Sequence, residues 1–211
     1  MTPNHRHHIK YTFRPLTLQD LTRLHQWFQE PVIHQMYARN QLWSLNDITK
    51  KYQPRIMGKE NIPSFIIELN NQPIGFIQYY CLGEHLPEGI ANMTNPLFNQ
   101  YNPREIAGID LFIADDTNRG MGHGKMIINQ FIAEFLMRYR LIVVDPESHN
   151  IQAIQCYEKS GFGKTDLSSN KHYLLLIKET KKQDKSIRPL INTKIADAPN
   201  APVVQEHEKN S

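Results

Sequence analysis

The sequence predicts one α/β domain built on a mixed β-sheet and spanning residues 9–180. Strand-type and helix-type hydrophobic patterns follow one another there in the order β-α-α-β-β-β-α-β-α-β, the pattern of a sheet covered by helices. The length of 211 residues fits a single domain with appendages, at roughly 150 residues per domain. A composition of 40% hydrophobic and 21% charged residues can build an ordinary core.

Residues 1–8 (MTPNHRHH) are polar and expected to be a disordered leader, with its histidines binding metal only adventitiously. Residues 10–14 alternate as a first strand. Thr17 and Asp20 resemble a capping box before Leu18, Leu21, Leu24 and Phe28 at helical spacing. Ser44 and Asp47 repeat that signal before Ile48, Tyr52 and Ile56, with Pro54 expected to break or bend the end. Two β-rich runs, 64–69 and 73–82, flank Asn70-Asn71-Gln72 and predict a hairpin. Residues 83–105 carry three prolines, four asparagines and no period, which predicts a long structureless loop. A strand at 106–114, a long helix over 122–138, a buried strand at 141–145, a helix over 150–160 closed by Gly161, and a strand at 171–178 complete the domain. The charged, proline-containing tail, 181–211, is expected to be unstructured.

No stretch approaches the ~18 apolar residues that span a bilayer, and no early apolar run resembles a signal peptide, so no membrane partner is expected. Two cysteines, Cys81 and Cys156, exclude a disulfide scaffold; they are expected to be small core residues in a cytoplasmic protein. The formal charge is +3, yet residues 9–180 hold 17 basic and 17 acidic residues, so no nucleic-acid footprint is called for. The charges nevertheless separate: residues 60–116 contain eight acids against Arg104 alone, whereas 117–178 contain eight bases against five acids. One half suits a cation, the other an anion.

The segment most informative about chemistry is Ile109 to Lys125, IDLFIADDTNRGMGHGK. A strand feeds a loop with three glycines in five residues, and the loop opens a helix. Glycines allow close approach and positive φ, and a helix start offers unpaired N–H groups and a positive dipole end, so an anion is favoured. Arg119 and Lys125 add charge. A glycine-rich connection that only packs a helix on a sheet is the alternative. A Walker loop is excluded, since Arg119 stands where its first glycine belongs and Met126 replaces the hydroxyl residue. The dinucleotide fingerprint fails because Lys125 occupies its third glycine position. What remains is R-x-x-G-x-G, Arg119 to Gly124.

That pattern resembles the pyrophosphate loop of the GNAT acetyltransferases, and a second block strengthens the likeness. Residues 145–162, DPESHNIQAIQCYEKSGF, keep the spacing N-x-x-A-x-x-x-Y-x-x-x-G-F through Asn150, Ala153, Tyr157, Gly161 and Phe162. The resemblance covers 9–180 and implies a mostly antiparallel central sheet flanked by helices. It implies acetyl-CoA as co-substrate, contacted by Phe112, Ile113, Ala114, the loop Arg119, Gly120, Met121, Gly122, His123, Gly124 and Lys125, and by Asn150 and Tyr157. The phrases GID (108–110), DP (145–146) and CYEKSGF (156–162) are similar to the aminoglycoside 6'-N-acetyltransferases. Resistance by acetylation of the drug's 6'-amine is therefore the implied activity. A GNAT acylating another amine, such as a hydroxylysine in siderophore biosynthesis or a protein amine, is the alternative. A catalytically silent CoA-binding module is the non-enzyme alternative.

On the acceptor side, alternation points Asp110 and Phe112 to one face of their strand, away from Ile109, Leu111 and Ile113. A lone carboxylate there costs several kcal/mol unless paired, so it has a partner or a task. A structural aspartate satisfied by backbone N–H groups is one reading; the resemblance makes Asp110 the acceptor-binding general base. It makes Tyr157 the proton donor to the leaving thiol, against simple core packing. Asn150 caps its helix in either reading. Asp145 is either a second acceptor carboxylate or a turn residue. The acid excess over 60–116 argues for a small polycationic aminosugar as partner, with the 83–105 loop as lid and Glu60, Glu84, Glu88 and Tyr101 as contacts. Relatives of this subgroup carry a shorter, tryptophan-rich acidic loop there, and an acid where this chain has SSNK (168–171). Trp27 and Trp43 are expected in the core, with stacking of their indoles on a sugar ring as the alternative.

Overall fold

The computed structural model describes residues 11–114, 117 and 119–180. The leader, Asp115, Asp116 and the tail lie outside the described residues. Strand β1 (Tyr11–Pro15) leads through a 3-10 turn into helix α1 (Leu21–Gln29), followed by α2 (Pro31–Met36) and α3 (Leu45–Ile56). The hairpin β2 (Ser64–Leu69) and β3 (Gln72–Cys81) comes next, then a short α4 (Leu97–Gln100) and β4 (Ile106–Ile113). Helix α5 (His123–Phe131), β5 (Leu141–Val144), α6 (Ile151–Lys159), β6 (Gly163–Thr165) and β7 (Leu175–Glu179) close the order.

Seven strands form one sheet in the order β1-β2-β3-β4-β5-β7-β6. All neighbours are antiparallel except β4 and β5. The mixed, mostly antiparallel sheet is thus observed. Among the described residues no helix is long and apolar enough to cross a membrane.

Local chemistry explains the elements. Asn70 and Asn71 both take positive φ (51° and 64°), the geometry of a tight turn that suits twisted strands. Ser44 and Asp47 form the expected reciprocal cap of α3. Asp20 accepts from Thr17 and bidentately from Arg14 at 2.8 and 2.9 Å, which fastens the start of the helical layer to β1. Alternation along β4 divides the core: Phe112 and Ala114 join Leu24, Phe28, Ile48 and Tyr52 beneath α1 and α3, while Ile109 joins Ile127, Phe131 and Tyr157 beneath α5 and α6.

Helix α3 includes Pro54 and ends close behind it at Ile56. Several expectations are corrected. The long helix is α-helical only to Phe131 and continues as a π-helical turn over Ile132–Leu136. Residues 83–105 are not structureless: Ile90 and Leu97 are buried in a third core cluster, and Asn95 donates to the Leu167 carbonyl at 2.8 Å. Cys81 and Cys156 are half-buried free thiols.

Candidate active site

Strands β4 and β5 pair only over Ile106–Gly108 and Leu141–Val143, while β4 continues to Ile113 against β3 alone. Residues 109–113 therefore have a strand partner on one side only. A cleft opens where the strands part. It has two lobes of about 250 and 260 Å³, and Arg39, Lys51, Gln78, Glu88, Asp110 and Asp145 line both. Asn150, Ala153 and Tyr157 of α6 line the first lobe, along with Trp43 and Tyr173.

Each side chain arrives there for a local reason. Gln78 and Asp110 are register partners on β3 and β4, and the Gln78 amide donates to Asp110 Oδ2 at 2.7 Å. Arg55 of α3 donates to Gln78 Oε1 at 2.7 Å and to Glu60 at 3.1 Å, which fixes the amide. Asp110 is thus satisfied by a side chain. Burial pushes its carboxyl above the usual range, against the pull of Gln78, Lys51 and Arg55. Asp145 follows β5 and accepts from the Gly89 N–H at 2.9 Å, so the 83–105 segment is tied to the strand end. Burial, and then the charge of Asp110, push Asp145 up to about 7.

Tyr157 is buried in the core beneath α6, and its hydroxyl makes no hydrogen bond among the described residues. Burial holds its pKa well above the ordinary value. Asn150 caps α6 by accepting from the Ala153 N–H at 3.1 Å. Gly108, between Asp110 and the strand's paired end, leaves room for Tyr80: a Cβ there would stand 2.4 Å from the Tyr80 ring.

Between β4 and α5, Gly120 and Gly122 have φ of +74° and +84°, which side chains rarely adopt. A Cβ at either would meet nothing within 4 Å. Gly122 precedes α5 without a side-chain cap, so the first N–H groups of that helix are available to an anion. Arg119 donates to the Ala114 carbonyl at 3.0 Å, and Lys125 is exposed.

The acetyltransferase (GNAT) domain family matches residues 17–168. The chain belongs to that family. Aminoglycoside N(6')-acetyltransferases type 1 from Klebsiella pneumoniae and Serratia marcescens are each 28% identical over 156 residues, covering 72% of this chain and 73% of theirs. The aminoglycoside acetyltransferase AAC(6')-Ib solved with coenzyme A and kanamycin superposes with a TM-score of 0.67 at 26% identity, over 81% of this chain and 95% of that one. Its complex with ribostamycin and coenzyme A gives 0.68 at 25% identity, over 81% and 93%.

Within this acetyltransferase the structure brings together Asp110, Asp145, Glu88, Asn150 and Tyr157. It does not bring Glu60, Glu84 or Tyr101 to the cleft. Glu60 pairs with Arg55, Glu84 accepts from Asn61 at 2.9 Å, and Tyr101 bonds to Glu179 on β7. The side chain of Phe112 is in the α1/α3 core, and that of His123 is buried against the Tyr11 hydroxyl, so only their backbones remain candidates for cofactor contact. Ile113 is half-buried, Ala114 is buried, and Met121 is exposed. Part of the acid excess is neutralised by ion pairs: Glu60 pairs with Arg55, Glu68 with Arg14 and Glu88 with Arg39.

Arg39, Lys51 and Gln78 line the cleft without having been singled out as contacts, and Trp43, expected in the core with sugar stacking as the alternative, lines it too. Gln78 was detectable as the polar residue in phase with Ile74, Phe76 and Tyr80. Lys51 and Arg55 form an i, i+4 basic pair bordering the apolar stripe of Ile48 and Tyr52. Arg39 has no local signal; it arrives through two successive left-handed residues, Arg39 and Asn40.

Proposed function

We propose that this acetyltransferase moves the acetyl group of acetyl-CoA to a primary amine seated between Asp110 and Asp145, and that the amine is the 6'-amine of an aminoglycoside. The acceptor class follows the names of the relatives. The chemistry rests on one observation: two carboxylates and an unbonded tyrosine hydroxyl line one cleft where β4 and β5 part.

The chain's features fit coenzyme A. The open glycine turn and uncapped start of α5, flanked by Arg119 and Lys125, suit its diphosphate. The one-sided edge of β4 over residues 109–113, with Asn150, suits the amide groups of its pantetheine arm. When bound, it supplies a thioester as acyl donor.

An alkyl or sugar amine is mostly protonated at pH 7 and must lose a proton before its lone pair can attack. Asp110 and Asp145 share the cleft, and with one of them titrating at about 7 the pair can accept that proton near neutrality. As the C–N bond forms and the C–S bond breaks, the thiolate needs a proton. Tyr157, kept protonated by its surroundings, donates it. The cytoplasm, and a catalytic unit of residues 9–180, complete the proposal.

Purified protein incubated with acetyl-CoA and kanamycin should release thiol and yield a singly acetylated product. Absence of release with every aminoglycoside, but release with other amines, would reassign the acceptor.

A further inference from the structure

The charges lining the acceptor cleft are not equally satisfied. Asp110 accepts from Gln78, Asp145 from the Gly89 N–H, and Glu88 from Arg39 at 2.8 Å. Glu147, farther out, pairs with His149 at 3.2 Å. Among the cations, Arg39 is engaged by Glu88, and Arg55 by Glu60 and Gln78. Lys51 differs. Among the described residues its ammonium has neither a hydrogen bond nor an ion pair; it lies 4.7 Å from the Trp43 ring centre and 5.6 Å from that of Tyr52.

Lys51 lines both lobes of the cleft and is half-buried there. A lysine that merely covers apolar surface extends its head into open water; this one faces the cavity. Burial, reinforced by Arg55 and Arg39, pushes its pKa down to about 8, although Asp110 and Glu60 pull the other way. Among the described residues no acid forms an ion pair with this cation. An amine placed at Asp110 and Asp145 leaves it still lacking one, and a polycationic acceptor supplies none.

We propose that Lys51 is an anion subsite of the acceptor cleft, so that the enzyme also acetylates amines bearing a carboxylate, a class to which aminoglycosides do not belong. The amine is acetylated as already described, with the carboxylate held by the Lys51 ammonium. The proposal rests on the acyl-transfer reading of the cleft and adds a substrate class to it.

The test compares kcat/KM for 6-aminohexanoate and for hexylamine, in which a methyl group replaces the carboxylate, following thiol release from acetyl-CoA. A half-buried charge-assisted contact predicts a preference of about tenfold or more for 6-aminohexanoate. The preference should collapse toward unity in Lys51→Met and persist in Lys51→Arg. A ratio near or below unity in the folded wild-type protein overturns the proposal. A preference that survives Lys51→Met overturns the assignment to Lys51. Kanamycin in the same preparation separates the two readings: release from kanamycin with a ratio of unity removes only the anion subsite, whereas no release with any amine removes acyl transfer as well.

Discussion

Asp145→Asn offers a quantitative test of the two-carboxylate cleft. Asp145 titrates at about 7 in the folded protein, because burial and the neighbouring Asp110 charge disfavour its ionised form. An aspartate in the unfolded chain titrates at about 3.9. Between those values the folded state holds a proton that the unfolded state has released, so stability falls as pH rises through the window. Roughly three units at ~1.4 kcal/mol each set a ceiling of about 4 kcal/mol, and water in the open cleft lowers the expectation to about 2 kcal/mol. Asparagine does not titrate, and its side-chain oxygen can still accept from Gly89. Of that window about two units lie above pH 5, so urea unfolding at pH 5 and pH 8 should show a stability difference, variant minus wild type, that grows by about 1 kcal/mol at the higher pH. A difference unchanged with pH would refute the raised titration of Asp145 in the cleft.

Asp110→Asn should lower turnover by roughly 10²-fold or more with acetyl-CoA binding retained, as measured by steady-state kinetics and calorimetry; near-normal turnover would remove Asp110 from the mechanism. Gly122→Val should weaken coenzyme A binding, because a β-branched residue cannot comfortably hold φ of +84° at the start of α5; unchanged affinity in titration would discredit the glycine turn as the diphosphate site. Removal of residues 181–211 should leave the melting temperature and activity within experimental scatter, and loss of folding would move the domain edge.

Much of the scaffold was legible because it rests on short-range rules. The paired asparagines at 70 and 71, the cap at Ser44, Gly161 after α6 and the in-phase acid on β4 are encoded within a few residues and appear where those rules place them. Helix α2 and strand β6 were missed because six and three residues are too short to show a period. The 83–105 segment looked structureless because its order is tertiary: Ile90 and Leu97 are anchored by β-strand side chains distant in sequence.

The site was legible in part for the same reason. Asp110 lies within β4, Asp145 directly after β5, Asn150 caps α6 and Tyr157 lies on that helix, regular elements in which motif spacing translates into position. Glu60, Glu84 and Tyr101 were inferred from charge or composition along the chain; Glu84 and Tyr101 satisfy neighbours away from the cleft, and Glu60 pairs with Arg55 of the cleft wall without lining the cleft itself. Arg39 and Lys51 come from the helical layer before the hairpin, far in sequence from both motif blocks, and only the fold brings them to Asp110.

A crystal structure of the protein grown with coenzyme A tests the central claim most directly. The account predicts diphosphate density against the backbone N–H groups of residues 120–124 and a thiol in the cleft beside Tyr157 and Asp110. Coenzyme A bound elsewhere, with the glycine turn and the β4–β5 cleft empty, would contradict it.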